Sequence, residues 1–175
     1  MIIGNDIIDR SEAPPHPRFF ARITSDYEKD HFEDNIENAL ILWAIKESAY
    51  KAFSQIDPMI SGIARKYEVS SNLKQVKFDG QSLKVSLQKN RNYIYAEAYP
   101  ENIASQFSIG PIGEISESLA AKSLAAKLLS SSSSSMVPPM VKKLGKIPFG
   151  YLDGRSIPLS LTHHGRFAAA SIISS

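Results

Sequence analysis

Two acidic side chains stand in apolar surroundings in this sequence, and they are the residues best suited to chemistry. Asp6 lies in the isoleucine-rich segment Ile-Ile-Gly-Asn-Asp-Ile-Ile, and Glu47 lies four residues after Trp43 on the apolar side of a helical pattern. An ionised carboxylate away from water is strongly destabilising unless a cation or a metal ion pairs with it. A metal ion held between the two acids would satisfy both of them.

Each acid could also have an ordinary structural role. For Asp6 it is the capping of a turn at the end of a strand. For Glu47 it is a salt bridge to Lys46, to Lys51 or to an arginine. Together the acids favour a hard cation, because the chain has no cysteine and any metal must rest on oxygen or imidazole ligands. Magnesium takes one or two carboxylates and binds phosphate oxygens besides, so two acids with Lys51 nearby suit a diphosphate substrate.

The elements that must position these residues can be recognised from local patterns. Residues 2–8 form a β-rich segment, and Gly4 inside it indicates that another backbone or a ligand comes close. Residues 25–28 have the Ser-x-x-Glu pattern of a capping box, which predicts a short helix there. Apolar residues recur at helical spacing over residues 35–54, which predicts the principal helix.

The rest of the chain predicts an antiparallel sheet and a further helix. Alternating segments on both sides of Asp79-Gly80 predict a hairpin, and residues 93–99 predict a third strand. A helix is predicted over residues 114–129, ended by the serine run 130–135 acting as a flexible connector. The stretch PLSLTHHGRFAAASII predicts a closing hairpin with its turn at residues 163–166. Strands around one long helix give an α+β fold.

Length and composition limit the class of protein. The 175 residues fit a single domain, and the longest apolar runs fall far short of the roughly 18 residues that cross a membrane. The first residues lack the pattern of a secretory signal, so a cytoplasmic protein is expected. The net charge of +2 is too mild for a nucleic-acid binder, so neither a nucleic acid nor a membrane is an expected partner.

Three motifs together resemble the 4'-phosphopantetheinyl transferase superfamily. They are GNDIIDR near a strand, WAIKESAYKAF on the principal helix and PLSLTHHGRFAAASI near the closing strand, in the order and approximate spacing of the family. The segment RFFARIT and the turn Gly145-Lys146-Ile147-Pro148 are similar to the short branch, the holo-acyl-carrier-protein synthases. The resemblance covers about residues 1–54 and 143–173, and the region of about residues 60–130 is divergent.

The resemblance implies a reaction and assigns its central residues. The reaction is magnesium-dependent transfer of 4'-phosphopantetheine from coenzyme A to a serine of an acyl or peptidyl carrier protein, with release of adenosine 3',5'-bisphosphate. Asp6 and Glu47 would be magnesium ligands and Lys51 would lie against the diphosphate, all three being catalytic, and Glu47 or a water is the candidate base. A noncatalytic coenzyme A or carrier-binding protein of the same fold is the alternative, and retention of all three residues argues against it.

The resemblance also implies a set of coenzyme A contacts. It puts His163 near the phosphates of coenzyme A, and Lys146 with Ile147 near the adenine. Lys46 and Arg18 are further candidate contacts. Each has a plain alternative, because Lys46 can be a solvated helix lysine and Arg18 can cap the first helix. Without the resemblance, His163 and His164 can both be exposed turn histidines that have no function.

The residue two positions after Asp6 indicates the branch. The longer, two-lobed branch has a second acid there, whereas this sequence has Ile8; the short branch lacks that acid and places one where Asp9 stands. The chain is thus expected to contain one lobe. The resemblance then implies a homo-oligomer, with a trimer as the favoured state. In it, His163 of one subunit faces Asp6 and Glu47 of its neighbour.

Overall fold

The backbone of the computed structural model forms two antiparallel sheets of five strands each. The structure describes residues 1–12, 16–132 and 137–174. Its strands are β1 Gly4–Asp9, β2 Glu68–Val69, β3 Gln75–Phe78, β4 Gln81–Lys89, β5 Tyr93–Tyr99, β6 Ala104–Pro111, β7 Met140–Leu144, β8 Ile147–Leu152, β9 Arg155–His164 and β10 Phe167–Ser174. Its helices are α1 Phe19–Ile23, α2 Asp26–His31, α3 Ile36–Phe53 and α4 Glu117–Ser131, with a 3-10 turn at Ala64–Lys66.

The two sheets divide the chain into a first and a second half. The first sheet has the order β1-β5-β4-β3-β2 and packs on α3, and the second has the order β6-β10-β9-β8-β7 and packs on α4. The α+β class is therefore confirmed, but the second half of the chain forms a five-stranded sheet where the sequence indicated only a helix and a closing hairpin. The strand β7 is mostly exposed and β6 is half-buried, so neither shows the alternation that identifies a strand. The single-domain organisation stays a prediction.

The predicted elements of the first half agree closely with the structure. Helix α2 begins with the capping box, in which the Ser25 side chain accepts from the Glu28 N–H and the Glu28 carboxylate accepts from the Ser25 N–H. Helix α3 begins one residue after Asn35, whose side chain accepts from the Asn38 N–H. Strands β3 to β5 lie where the hairpin and the third strand were predicted. The extra helix α1 lies just before the capping box, in a segment where the sequence predicted no helix.

Helix α4 differs from its prediction at both ends, and it begins three residues later than expected, at Glu117. It runs two residues further than expected, to Ser131, so the serine run does not break the helix at its first residue. Residues 133–135 of that run lie outside the described residues. No helix in the described ranges is long and apolar enough to span a membrane.

Gly4 allows β1 to lie directly against α3. A Cβ atom at this position would lie 1.8 Å from the Ser48 carbonyl oxygen and 2.6 Å from the Ala52 nitrogen, so no side chain fits. The interpretation of Gly4 as a place of close backbone approach is confirmed. Because β1 touches the helix here, the residue two positions later, Asp6, comes to lie beside the helix that carries Glu47.

The surface between the two sheets is apolar at its ends and polar at its centre. One end holds Ile3, Tyr99 and Ile173, and the other contains Ile7 and Ala169. Between these two apolar ends lie the buried side chains of Asn5, Tyr95, Glu97 and Ser171, with the half-buried Ser105 beside them. An acid is thus enclosed where two sheets meet.

Glu97 is the ionisable group at that centre, with 1% of its surface exposed. Its Oε2 accepts from the Ser105 hydroxyl at 3.4 Å, and burial raises its pKa to about 7. The folded protein therefore keeps a proton that the unfolded chain releases near the ordinary pKa of 4.5. A carboxyl with a raised pKa stabilises the fold least at high pH.

We expect the stability of the protein to fall as pH rises from about 4.5 to about 7, by roughly 3 kcal/mol from this residue. Glu97→Gln keeps the shape but cannot ionise, so its stability should lack this decline and exceed that of the wild type at about pH 8. Urea unfolding of both proteins across this range measures the difference. Equal pH dependence in the two proteins would contradict the assignment.

Candidate functional site

Asp6, Lys51 and Thr162 form a hydrogen-bonded group where β1, α3 and β9 meet. Lys51 Nζ donates to Asp6 Oδ1 at 2.7 Å and to the Asn5 carbonyl oxygen at 3.0 Å. It also donates to Thr162 Oγ1 at 3.2 Å, and Thr162 Oγ1 in turn donates to Asp6 Oδ1 at 3.0 Å. An ammonium group has three protons, so this lysine is fully committed and fixed in position.

Glu47 lies one helical turn before Lys51 and close to Asp6. Burial raises the pKa of Glu47 above its usual value, the charge of Asp6 raises it further, and Lys51 opposes the increase. Glu47 and Asp6 line the same cavity, and their role as a metal site stays a prediction. In the described part of the chain, no group of three or more histidine or acidic residues could hold a metal ion, so these two acids stand as a pair.

The acid pair opens into a cavity of about 260 Å³. Phe19, Leu40 and Trp43 supply apolar wall, so Trp43 is a cavity residue as well as a core contact. The remaining walls are largely charged or imidazole-bearing: the described lining residues of these kinds are Asp6, Asp9, Arg10, Glu12, Glu47, His163 and His164. Two of these acids have cationic partners outside the list, since Asp6 pairs with Lys51 and Asp9 with Arg166.

Besides its contact with Asp6, Lys51 lines a second and larger cavity, of about 700 Å³. Lys143 and Lys146 contribute to the same wall, and the described lining residues include no aspartate or glutamate. Tyr50, Met59, Leu144, Ile147 and Leu161 supply its apolar surface. Lysines beside apolar side chains suit a phosphate-bearing ligand with a flat or apolar part. Lys146 and Ile147 therefore lie together in a cavity that also reaches Lys51.

The two histidines lie on β9 and not in the turn, which is formed by Gly165 and Arg166. His163 Nδ1 is 3.0 Å from Glu117 Oε2, at the beginning of α4. His164 Nδ1 accepts from the Asp9 N–H at 3.1 Å. Both histidines line the smaller cavity beside the acid pair.

His163 and the acid pair belong to the same chain and the same cavity. The expectation that His163 reaches the acids from a neighbouring subunit assumed a chain with one lobe, whereas the second sheet supplies β9 in the same chain. His163 therefore lines the cavity of Asp6 and Glu47 within one chain, and which subunit's His163 acts there stays a prediction. The oligomeric state itself stays a prediction.

Asp9 is an ion-pair residue and not a free metal ligand. Arg166 donates to it from Nη2, from Nε and from its backbone N–H, each at 2.8 Å, and holds the pKa of Asp9 well below its usual range. Gly165, with φ of +53°, leaves room for this contact, since a Cβ there would lie 2.6 Å from Asp9 Oδ2. The end of β1 is thereby tied to the turn that follows His163 and His164.

The structure does not bring Lys46 to the site. Its Nζ donates to Glu28 Oε2 at 2.6 Å, to the Ile23 carbonyl at 2.8 Å and to the Ala64 carbonyl at 3.2 Å. The residue is 1% exposed and lines neither cavity. Lys46 is therefore corrected from a coenzyme A contact to a buried ion-pair residue that holds α3 against α2.

Replacing Lys46 with alanine should destabilise the protein by about 3–5 kcal/mol, because Glu28 would stay buried without its cation. Lys29→Ala is the matched control, since Lys29 pairs with Asp26 on the surface and its loss should leave stability nearly unchanged. Chemical unfolding gives both values. Unchanged stability with weakened coenzyme A binding would restore the role inferred from the sequence.

Arg18 is exposed at the beginning of α1 and lines neither cavity, so its role as a coenzyme A contact stays a prediction. Two further residues of the site, Ser160 and Thr162, were not predicted from the sequence. Both are buried on β9, and the Ser160 hydroxyl accepts from the Asn5 N–H at 3.0 Å. Their signal was the Ser-x-Thr-His pattern, in which two hydroxyl residues share one face of a strand.

Comparison with known proteins identifies the family of the chain. The family model of the 4'-phosphopantetheinyl transferase superfamily matches residues 2–103, which is more than half of the chain. The match contains Asp6, Glu47 and Lys51, whereas β9 lies beyond it. Neither a curated protein nor a solved structure matches the chain. On the family match, the chain belongs to the 4'-phosphopantetheinyl transferase superfamily.

Proposed function

We propose that this transferase moves 4'-phosphopantetheine from coenzyme A to a serine of an acyl or peptidyl carrier protein, in a magnesium-dependent reaction. The observation that supports it most is the position of Lys51. This residue touches Asp6 of the acid pair and also lines the lysine-rich cavity. A site for a cation and a site for phosphate thus share one residue, as the transfer of a phosphate-bearing group requires.

The residues present fit a magnesium ion. Magnesium uses one or two protein carboxylates and leaves its other positions to water and substrate phosphate. Asp6 and Glu47 would hold it, and a cation between them relieves the repulsion that contributes to the raised pKa of Glu47. When bound, the ion would supply positive charge to the diphosphate of coenzyme A.

The transfer makes one phosphorus–oxygen bond and breaks another. The serine oxygen bonds to the phosphorus on the pantetheine side, and the bond from that phosphorus to the bridging oxygen breaks. Adenosine 3',5'-bisphosphate leaves with the bridging oxygen and its electron pair. The protein must align the serine, balance the charge on the leaving phosphate and accept the serine proton.

The chain offers a group for each task. Glu47 or a water is the candidate base, since Glu47 lines the cavity beside Asp6 in which the serine would be aligned. Lys51 offers its charge to the leaving phosphate by exchanging one of its present hydrogen bonds. Lys146 would contact the nucleotide end of coenzyme A in the larger cavity, and His163 would contact a phosphate beside the smaller one.

Intact mass spectrometry tests the proposal. The protein is incubated with coenzyme A, magnesium and a panel of apo-carriers that includes acyl carriers of fatty acid biosynthesis and peptidyl carriers. A gain of about 340 Da on a carrier, lost when magnesium is chelated, supports transfer of the phosphopantetheine arm. No gain on any carrier from a folded protein that binds coenzyme A would favour the noncatalytic binding protein instead.

We propose that His163 acts in the chain that carries it. Mixing Glu47→Ala and His163→Ala proteins should then restore no activity beyond the sum of the two, which a carrier-loading assay measures after subunit exchange. Recovery would contradict this and favour a site shared between subunits. A homo-oligomer, with a trimer as the favoured state, is a separate proposal. Light scattering measures the oligomeric state. A cytoplasmic location likewise stays a prediction.

A further inference from the structure

We propose that Thr162 is a positioning residue that orients Asp6 for the metal ion. This inference rests on the proposed function, because it concerns how the acid pair is held. Thr162 lies on β9 and Asp6 on β1, and their side chains meet through a hydrogen bond of 3.0 Å. Thr162 is 5% exposed, so its hydroxyl serves contacts inside the protein.

The hydroxyl of Thr162 contacts both members of the Asp6–Lys51 ion pair. It donates its proton to Asp6 Oδ1 and accepts one from Lys51 Nζ at 3.2 Å. A buried hydroxyl with both functions satisfied stabilises its surroundings, whereas the loss of one partner leaves polar groups unpaired. The threonine therefore fixes the relative position of the acid and the lysine, and it does so from the second sheet.

This arrangement gives the two oxygens of the Asp6 carboxylate different roles. Lys51 and Thr162 both donate to Oδ1, and the protein contacts of the described residues place no hydrogen bond on Oδ2. The oxygen left to bind a cation is thus Oδ2. With two donors on one oxygen the carboxylate cannot rotate freely, so Oδ2 is held in one direction before any ligand arrives.

The strand that carries Thr162 is itself fixed against β1. The Asn5 N–H donates to Ser160 Oγ at 3.0 Å, and Ser160 lies two residues before Thr162 on the same face of β9. One residue further along β1, Asp6 then lies within reach of Thr162. The position of the hydroxyl therefore follows from strand packing and does not depend on a flexible side chain.

The test compares two variants of Thr162 with a control elsewhere. Thr162→Val keeps the shape and removes the hydroxyl, and Thr162→Ser keeps the hydroxyl. Thr24→Val is the matched control, since Thr24 is also buried and its Oγ1 donates to the Phe20 carbonyl at 2.8 Å, in α1. Manganese is the probe, because free and bound ion are distinguished by electron paramagnetic resonance without any transfer reaction.

We expect Thr162→Val to weaken manganese binding about tenfold, as is typical when a group that orients a metal ligand is lost. The magnesium concentration for half-maximal transfer should rise by a similar factor, while Thr162→Ser restores both values and Thr24→Val leaves both unchanged. Thermal unfolding shows whether each variant is folded. A stabilising role alone would lower the melting temperature in both valine variants without moving the metal dependence.

The possible outcomes separate this inference from the proposed function. If the wild type loads no carrier but binds manganese, and Thr162→Val weakens that binding, the function fails and the positioning role stands. If the wild type loads carriers and Thr162→Val binds manganese as tightly as the wild type does, the positioning role fails and the function stands. If the folded wild type binds no manganese with or without coenzyme A, the positioning role is overturned.

Discussion

Replacing Glu47 with glutamine should lower carrier loading by at least about a hundredfold, because it removes both the candidate base and a negative charge from the metal site. The fold should survive. Glu47 is an acid whose burial raises its pKa, so a neutral side chain of the same shape relieves a desolvation cost. Loss of activity without loss of stability is therefore the expected result, measured by carrier loading and by urea unfolding of the same preparations.

Glu37→Gln is the control for this change. Glu37 lies in the first turn of the same helix and pairs with Arg10 at 2.6 Å near the surface. Its loss should leave carrier loading within about twofold and cost under about 1 kcal/mol of stability. Full activity in Glu47→Gln, or equal losses in both variants, would remove Glu47 from the catalytic role.

Gly4→Ala should destabilise the protein by at least about 3 kcal/mol, since the new Cβ would overlap the backbone of α3 at Ser48 and Ala52. Relieving that overlap requires β1 and α3 to move apart. The same movement separates Asp6 from Glu47 and Lys51, so any folded fraction should load carriers poorly. Chemical unfolding and activity per folded molecule measure the two effects.

Gly62→Ala is the control for the glycine change. A Cβ at Gly62 would lie 3.6 Å from the Tyr50 ring, which is an ordinary contact. This variant should change stability by under about 1 kcal/mol. If Gly4→Ala is as stable as Gly62→Ala, then the close packing of β1 on the helix does not define the site.

The chemistry of the first half of the chain could be predicted because its signals are local or chemically costly. Apolar spacing identified α3, turn residues identified the hairpin of β3 and β4, and two acids in apolar segments identified Asp6 and Glu47. Gly4 was informative for a similar reason, since a glycine weakens a buried strand and marks a place where another group comes close. In each case the sequence shows the feature without knowledge of distant contacts.

The parts that could not be predicted depend on distant partners. Lys46 and Glu47 are neighbours on one helix, and only the position of Glu28, eighteen residues before Lys46, decides that Lys46 is buried in an ion pair. Glu28 itself was recognised as a helix cap, although its carboxylate also accepts from the Val69 N–H. The second sheet was missed because its outer strands are exposed and lack alternation.

Asp6 and Thr162 lie 156 positions apart in the chain, and this separation matters during synthesis. While a ribosome makes the protein, the acid pair and Lys51 emerge early, but β9 emerges only after more than a hundred further residues. Contacts between such distant segments form late and slowly. A nascent chain therefore carries Asp6 and Glu47 without the strand that contacts Asp6 until these further residues have been added.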